Sequence, residues 1–265
     1  MIVLKDICEY LESIAPLNLQ EDYDNAGLII GNEKAKIAKA LVCLDCTEEI
    51  LDESIERKCN LIIAHHPIVF QGIKKINGNN YVERIIIKAI QNNINIYAAH
   101  TNLDNVLKNG VNERIAKKLK LKNLKILSPI KGSKGKQGAG IVGHLSKSEN
   151  EKSFLKRLKT TMKTDCIRHT ALLGKQIKKV AVCGGSGSFL LDDAIKAKAD
   201  IFITGDFKYH QFFDSEGKIV IADIGHYESE QFTKEIFYEL LTKKFPKFAV
   251  HLTKINTNPI HYYIN

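Results

Sequence analysis

Short apolar runs alternate along this chain with segments of helical spacing, and this alternation most constrains the fold. In the first half, Leu41–Leu44 is followed by Thr47 and two glutamates, which are typical of a helix N-terminus. The apolar run Leu61–Ala64 comes next. A strand, a helix and a second strand in this order form a β-α-β unit, whose crossover favours a parallel sheet. The sequence therefore predicts an α/β fold.

Further elements extend this pattern in both directions. A helix is predicted over Leu4–Ile14, where leucines and isoleucines form one stripe and Pro16 stops the helix. Another helix over Tyr81–Asn92 leads to a strand over Ile94–Ala99. Each predicted strand ends at a polar residue capable of chemistry, and open α/β sheets place their sites at these strand ends.

The second half repeats the first at an offset of 140 residues. Strand, helix and strand patterns recur over Val180–Cys183, Leu190–Ala197 and Ile201–Thr204. Internal duplication and convergence on one supersecondary pattern both explain the sparse identities. With either origin, two similar half-units could face each other across a cleft. The expected fold is therefore two similar α/β lobes, and a metal site is expected in the cleft between them. The Gly/Lys-rich stretch 131–138 indicates a boundary, giving lobes 1–130 and 131–265, with the C-terminal helix and strand able to pack back on the first lobe.

Composition narrows the environment in which such a chain works. With 44% apolar and 26% charged residues, it is an ordinary globular sequence without an apolar run of membrane-spanning length. Its start is interrupted by acidic residues, unlike a secretory signal. Six scattered cysteines do not form a disulfide framework, so we expect a cytoplasmic protein without a membrane partner. Cys43 and Cys46 have the spacing of a redox pair or half a zinc site, but no second cysteine pair completes such a site.

The net charge of +9 does not decide whether the chain binds an anionic partner. Only five of the 39 basic residues are arginine, the residue on which nucleic-acid readers usually depend. Lysines are densest over Lys117–Lys136, where a solvated surface and a patch for an anionic partner are both compatible with the charge. The glycine-rich segment Gly184–Ser188 is similarly open between a tight turn and a phosphate-binding loop. A nucleic-acid partner is therefore possible, but neither the lysine-rich stretch nor the glycine-rich segment specifically indicates one.

Three segments carry residues suited to metal binding. His65 and His66 directly follow an apolar strand, and histidine is the commonest metal ligand. His100 and Asp104 follow the next strand, where Asp104 could supply a carboxylate or only organise its loop. The third segment is 225–230, whose residues His226 and Glu230 are four apart and so share one face of a predicted helix. Together these ligands suffice for a two-metal site.

Five short motifs resemble those of the Ngg-one-interacting-factor-three-like family, also described as GTP cyclohydrolase I type 2 homologues or dinuclear metal-centre proteins. The resemblance runs through nearly the whole chain, and the five motifs together are specific although none suffices alone. They are Tyr23-Asp24-Asn25-Ala26-Gly27-Leu28, His65-His66-Pro67, His100-Thr101-Asn102-Leu103-Asp104, Gly205-Asp206-Phe207-Lys208-Tyr209-His210 and Gly225-His226-Tyr227-Glu228-Ser229-Glu230.

The resemblance implies a role for each matched residue. Five metal ligands are implied, with Glu230 as the bridge, and His100 is implied as a nearby residue of the second shell or of proton transfer. The implied ligands are His65, His66, Asp104, His226 and Glu230. A two-lobed monomer that assembles as a toroidal homohexamer is also implied. The inserted domain of longer members is missing here, and Tyr23 replaces a common tryptophan while keeping an aromatic ring.

These features predict a metal-dependent hydrolase of the cyclohydrolase or phosphoester kind. Its cofactor would be two divalent ions per chain, and nitrogen and oxygen ligands suit Zn, Mn or Fe. Its substrate would be a small molecule, for which the family name suggests a nucleotide such as GTP. The alternative is a metal-binding scaffold or regulatory protein without enzymatic activity, which would interact with protein or nucleic acid.

Overall fold

The computed structural model describes residues 2–263, which form two α/β units with separate sheets. The helices are α1 (Leu4–Ile14), α2 (Glu48–Glu56), α3 (Tyr81–Gln91), α4 (Thr101–Asp104), α5 (Val111–Lys118), α6 (Glu151–Met162), α7 (Leu191–Lys196), α8 (His226–Glu230) and α9 (Thr233–Lys244). The strands are β1 (Ile2–Val3), β2 (Gly27–Ile30), β3 (Lys36–Ile37), β4 (Lys39–Val42), β5 (Leu61–Ala64), β6 (Asn95–Ala98), β7 (Lys122–Pro129), β8 (Gly138–Asn150), β9 (Arg168–His169), β10 (Gln176–Ser186), β11 (Ile201–Gly205), β12 (Val220–Asp223) and β13 (Ala249–Leu252). Within the described range, no helix has both the length and the apolarity to cross a bilayer.

The first unit comprises Met1–Leu103 and Thr233–Pro259. Its main sheet has the strand order β13-β4-β5-β6-β2, in which the first four strands are parallel and β2 is antiparallel. The central strands β5 and β6 are buried at every residue. The core on the α2 and α3 side is formed by residues such as Leu41, Ile50, Ile62 and Ile85. The C-terminal strand β13 therefore completes the sheet begun by the N-terminal half of the chain.

The second unit comprises Asp104–Phe232 and Ile260–Asn265. Its sheet has the strand order β7-β8-β10-β11-β12-β9. The central strands β10, β11 and β12 are parallel, and antiparallel strands flank them on both sides. Residues such as Ala181, Leu191, Phe202 and Ile221 fill one core of this unit.

The two units contain the same β-α-β element at the predicted offset of 140 residues. In the first unit Ala40 pairs with Leu61, and in the second Val180 pairs with Ile201. The loops after the helices also agree, because Lys58 and Lys198 both have left-handed backbones, with φ of 57° and 55°. The predicted α/β fold with two similar lobes is confirmed.

The Gly/Lys-rich stretch 131–138 does not separate the two units. It forms the turn between the antiparallel strands β7 and β8 inside the second unit. Gly132 and Gly135 have φ of 87° and 72°, which explains why this turn is rich in glycine. The chain instead passes between units after Leu103, after Phe232 and after Pro259.

The helix expected after Gly225 is divided into two. α8 belongs to the second unit and α9 to the first, and the chain passes from one to the other at Phe232. The apolar face that includes Ile236, Phe237 and Leu241 lies entirely on α9, which packs against β13 and β4. The sequence does not reveal this break, because α8 and α9 each have a buried side and the helical spacing of buried residues continues from one to the other.

The repeated left-handed residue gives a test of the fold. Replacing Lys198 by Gly should raise the free energy of unfolding, because it removes a left-handed strain of about 1–2 kcal/mol, partly offset by the greater chain entropy of unfolded glycine. The exposed Lys196→Gly change inside α7 is the matched control, expected to cost about 1 kcal/mol. Thermal unfolding of both variants measures the difference, and equal losses would contradict the left-handed assignment.

Candidate metal centre

Three histidines follow the carboxyl ends of two neighbouring parallel strands in the first unit. β5 ends at Ala64 and leads into His65 and His66, while β6 ends at Ala98, two residues before His100. Because Ala64 lies opposite Ala98 in the ladder, the three rings emerge at one edge of the sheet. The ring centroids are 5.0 Å, 5.2 Å and 5.3 Å apart. The predicted histidines of this unit are therefore brought together.

The Nδ1 atoms of His65 and His66 are each held by a hydrogen-bond acceptor. His65 Nδ1 lies 2.8 Å from the Ala99 carbonyl oxygen, and His66 Nδ1 lies 2.6 Å from Asp45 Oδ1. Asp45 is itself fixed, because the Thr257 hydroxyl donates to its other oxygen at 2.6 Å. Carbonyl and carboxylate oxygens only accept hydrogen bonds, so Nδ1 is the donor in both rings.

His100 is held in the same way by Asp24, with 2.8 Å between Nδ1 and Oδ1. The Thr101 amide donates to the second Asp24 oxygen at 3.0 Å, and the Thr101 hydroxyl donates to it as well. Burial alone would raise the pKa of Asp24, but the hydrogen bond and charge of His100 and the bond from Thr101 lower it to about 2. Asp24 therefore remains ionised and orients the His100 ring.

Each of these rings uses Nδ1 for a structural bond, and a neutral ring then has its lone pair on Nε2. One nitrogen from each of His65, His66 and His100 lies within 4.8 Å of the others. Metal-bound histidines commonly donate their second nitrogen to a carboxylate or a carbonyl, which fixes the tautomer and the ring orientation. The donor chemistry of this cluster therefore fits a divalent ion.

The second unit supplies a histidine and carboxylates on and around α8. His226 Nε2 lies 3.1 Å from Glu230 Oε2, one helical turn away. The other nitrogen, Nδ1, lies 2.6 Å from Asp206 Oδ2, in the turn after β11. His226 therefore has the same anchored Nδ1 as the three histidines of the first unit. The predicted pairing of His226 with Glu230 on one helical face is present.

The surroundings of His226 strongly favour positive charge. Burial alone would lower the pKa of this ring, but the charge of Glu230 and the hydrogen bonds that the ring donates to Asp206 and Glu230 raise it to about 11. The same negative charges would attract a metal cation to this position. Glu230 is 2% exposed, so its charge is poorly screened by solvent.

Asp104 lies near Glu230 within the second unit. A carboxylate oxygen of Asp104 and one of Glu230 are within 4.8 Å of each other. Asn112 fixes this region by donating to the Asp104 carbonyl at 3.1 Å and accepting from the Gly184 amide at 2.9 Å. Burial, followed by the charges of Asp104 and Glu230, raises the pKa of the Cys183 thiol. The second unit thus has a concentrated negative charge beside its histidine.

The glycine-rich segment forms a space for the Glu230 side chain. Gly185 has a φ of +61°, and a Cβ there would lie 2.4 Å from Glu230 Oε1 and 3.3 Å from His226 Cε1. The Gly185 amide also donates to Ser229 Oγ at 2.8 Å. Gly184 and Gly185 are therefore part of the end of β10, where the pairing with β11 shifts register between Val182 and Ser186. The absence of a side chain at Gly185 is what admits Glu230.

The Cys43 and Cys46 thiols are poor candidates for metal or redox chemistry. Both lie within the apolar core of the first unit. Burial, then the charge of Asp45, raises the pKa of Cys46 to about 12, and burial raises that of Cys43 well above its ordinary value. Thiolate is the reactive and metal-binding form, so both residues have a structural role as small buried side chains.

Sequence reasoning gave no positioning role to four residues that the structure places around the rings. Asp24 and Asp206 lie inside quoted motifs, and Asp206 stands at the repeat position of His66, which is a usable signal. The other two residues are Asp45, which follows the end of β4, and Gly185, which lies near the end of β10. Neither of these two has a signal of its own in the sequence, because their contacts come from segments distant along the chain.

Comparison with known proteins identifies the family of this chain. A sequence model of the family Duf34/NIF3 (NGG1p interacting factor 3) matches residues 2–259. The GTP cyclohydrolase 1 type 2 homolog of Clostridium acetobutylicum is 37% identical over 255 residues, covering 96% of this chain and 93% of that protein. The homolog of Clostridium perfringens is 39% identical over 228 residues, covering 86% of each. Staphylococcus aureus protein SA1388 has a crystal structure that superposes with a TM-score of 0.89 at 28% identity, covering 99% of both chains. The chain therefore belongs to the Duf34/NIF3 family, and the predicted resemblance is confirmed.

The space at Gly185 can be tested by adding one methyl group. Gly185→Ala should displace Glu230 and weaken the uptake of a divalent metal such as Mn²⁺ or Zn²⁺, measured by elemental analysis after dialysis. Gly217→Ala is the matched control, because Gly217 has a similar φ of +67° but no described atom within 4 Å of the added Cβ. Both variants should lose stability from the backbone strain. Equal metal uptake in the two would contradict the role given to Gly185.

Proposed function

We propose that this member of the Duf34/NIF3 family is a metal-dependent hydrolase with two divalent ions per chain. The ligands would be the five residues that the family resemblance implies, with Glu230 as the bridge. They are His65, His66, Asp104, His226 and Glu230. One observation carries the proposal: every candidate histidine has its Nδ1 fixed by an acceptor, which prepares Nε2 for a metal.

The proposed ligands lie close to the points where the chain passes between the units. His100 and Asp104 stand on either side of the point where the chain leaves the first unit, after Leu103. His226 and Glu230 come just before the chain returns to it, after Phe232.

The donor set also supports the choice of metal. Imidazole nitrogens and carboxylate oxygens suit Zn, Mn or Fe better than a metal that prefers thiolates. The chemistry that two such ions supply when bound is acidification of a water molecule and polarisation of the bond under attack. The protein contributes a fixed ligand geometry and a negative surrounding that retains the cations, supplied by Asp104, Asp206 and Glu230.

His100 is proposed as the group that moves a proton. Its Nε2 can accept a proton while Asp24 holds Nδ1 and stabilises the positive ring that results. The ionised state of Asp24 supports this role. A ring nitrogen of His100 lies within 4.8 Å of one in each of His65 and His66, so His100 could also be a metal ligand. Replacing His100 distinguishes the two roles. Loss of turnover with retained metal supports proton transfer, and loss of metal assigns His100 as a ligand.

The substrate is proposed to be a small molecule, with nucleotides and phosphoesters as the first compounds to test. The support comes from the relatives, whose name as GTP cyclohydrolase 1 type 2 homologs points to GTP. The alternative is a metal-binding scaffold or regulatory protein, in which metal would be retained without turnover of any compound. The six free thiols of the described chain support a reducing compartment, which we propose to be the cytoplasm.

Replacing Glu230 by Gln should remove metal and hydrolysis together. The change keeps the size of the side chain but removes the charge that would hold two cations close to each other. We expect metal affinity to fall at least as much as the roughly 10–100-fold seen for the loss of an outer-shell partner. Titration with Zn²⁺ against a competing chelator measures this. Retention of both ions with unchanged affinity would reject Glu230 as the bridge.

Replacing His66 by Ala should lower the metal content, because it removes one of the three proposed imidazole ligands. His169→Ala is the matched control, since His169 is exposed and its Nδ1 is bonded to the neighbouring Thr170 carbonyl. Elemental analysis of the wild-type protein should give close to two ions per chain, and the control should equal it. Full occupancy of His66→Ala would remove His66 from the centre.

The assembly is proposed to be a homohexamer, on the basis of the family resemblance. Closed symmetry is the common outcome for soluble oligomers, which agrees with a ring of three dimers. Light scattering should give a mass six times the 29.8 kDa of the chain. A monomer mass at micromolar concentration would reject this assembly.

A further inference from the structure

We infer that Asp223 is a positioning residue that holds Asp206 against His226. This inference rests on the proposed function, in which His226 is a metal ligand. Asp223 is the last residue of β12 and is 3% exposed. It lies between two turns, one carrying Asp206 after β11 and one carrying His226 after β12.

The Asp223 carboxylate is bonded to the backbone of both turns. Oδ2 accepts from the Phe207 amide at 2.9 Å, directly after Asp206. Oδ1 accepts from the Gly225 amide at 3.0 Å, directly before His226. One buried carboxylate thus links the backbone on either side of the Asp206–His226 pair, whose own bond is 2.6 Å long.

The backbone of these turns needs such a restraint. Asp206 has a left-handed conformation with a φ of 60°, which is sterically unfavourable for most residues that carry a Cβ. The turns also approach closely, because a Cβ on Gly205 would lie 2.9 Å from the Gly225 carbonyl carbon and 2.9 Å from the His226 amide nitrogen. A hydrogen bond to the amide that follows Asp206 favours the conformation that directs its carboxylate to His226.

Arg168 makes it feasible to bury this charge. Its guanidinium is bonded to Asp223 Oδ2 and also donates to the Phe207 carbonyl at 2.9 Å. The pairing of β9 with β12 sets Arg168 opposite Asp223. The two Asp223 oxygens therefore accept hydrogen bonds from one guanidinium and two backbone amides. An asparagine side chain has only one acceptor oxygen and no charge, so it could not satisfy the donors at both positions.

A double-mutant cycle tests whether Asp223 acts through Asp206. Asp223→Asn and Asp206→Asn should each lower the affinity for Zn²⁺ about tenfold or more, measured with a competing chelator. If the two residues act in one chain of contacts, the double variant should bind no more weakly than the weaker single variant. Additive losses, or unchanged affinity in Asp223→Asn alone, would overturn the inference.

A matched control separates positioning from stability. Glu53 is also a buried carboxylate, bonded to Thr253 and Arg57 in the first unit. Glu53→Gln and Asp223→Asn should both lower the thermal midpoint, but only the second should lower Zn²⁺ affinity. If Asp223→Asn does not fold, Arg168→Gln takes its place, with a loss of affinity in the same direction expected and an unchanged affinity contradicting the inference.

A spectroscopic readout in the metal-free protein distinguishes failure of this inference from failure of the proposed function. The Nδ1 resonance of His226, assigned by its loss in His226→Gln, should shift in ¹⁵N NMR spectra of both Asp206→Asn and Asp223→Asn. If it shifts while wild-type protein takes up no Zn²⁺, the positioning role stands and the metal centre is rejected. If the wild type binds Zn²⁺ and the resonance is unmoved in Asp223→Asn, the positioning role is rejected.

Discussion

The hydrogen bond from histidine Nδ1 is the interaction on which this site depends. An imidazole ring that is free to rotate offers a metal two nitrogens in many orientations. A ring that donates from Nδ1 to a fixed oxygen offers only Nε2, in one direction. Three of the four rings are held by aspartates and one by a backbone carbonyl. The strands, turns and buried charges of both units serve to keep these acceptors in place.

The repeated β-α-β element explains how one fold provides two different sets of candidate ligands. Both units have parallel strands in the same register, so both present side chains at the carboxyl edge of a sheet. At the offset of 140 residues, His66 corresponds to Asp206, and Asp45 corresponds to Gly185. The first unit therefore places histidines at its sheet edge, while the second places an aspartate and leaves space for Glu230. The same backbone gives a nitrogen-rich set and an oxygen-rich set.

The sequence was sufficient to predict the elements with a strong local signal. The helix Leu4–Ile14 and the strand Leu61–Ala64 have the predicted bounds, because apolar spacing and a helix-stopping proline are local features. The repeat was predictable because it preserves spacing as well as residue type. The division between units was not, since the stretch 131–138 has the composition of a linker although it is the turn of a hairpin.

The candidate ligands could be predicted from the sequence, whereas the residues that hold them in place could not. Five motifs indicated the candidate ligand residues, but the acceptors behind the rings depend on contacts between segments far apart in the chain. Thr257 reaching Asp45 joins residues 212 apart, which no local pattern reveals. Gly185 is a further case, because its function is to leave room for Glu230 and an absent side chain gives no pattern to detect.

Anomalous scattering from crystals grown with Zn²⁺ tests most directly whether the anchored rings bind metal through Nε2. We expect metal peaks at about 2.0–2.1 Å from Nε2 of His65, His66 and His226, with the Nδ1 bonds of all three retained. A peak on Nδ1 of any of these rings, or ligand rings turned away from their acceptors, would contradict it.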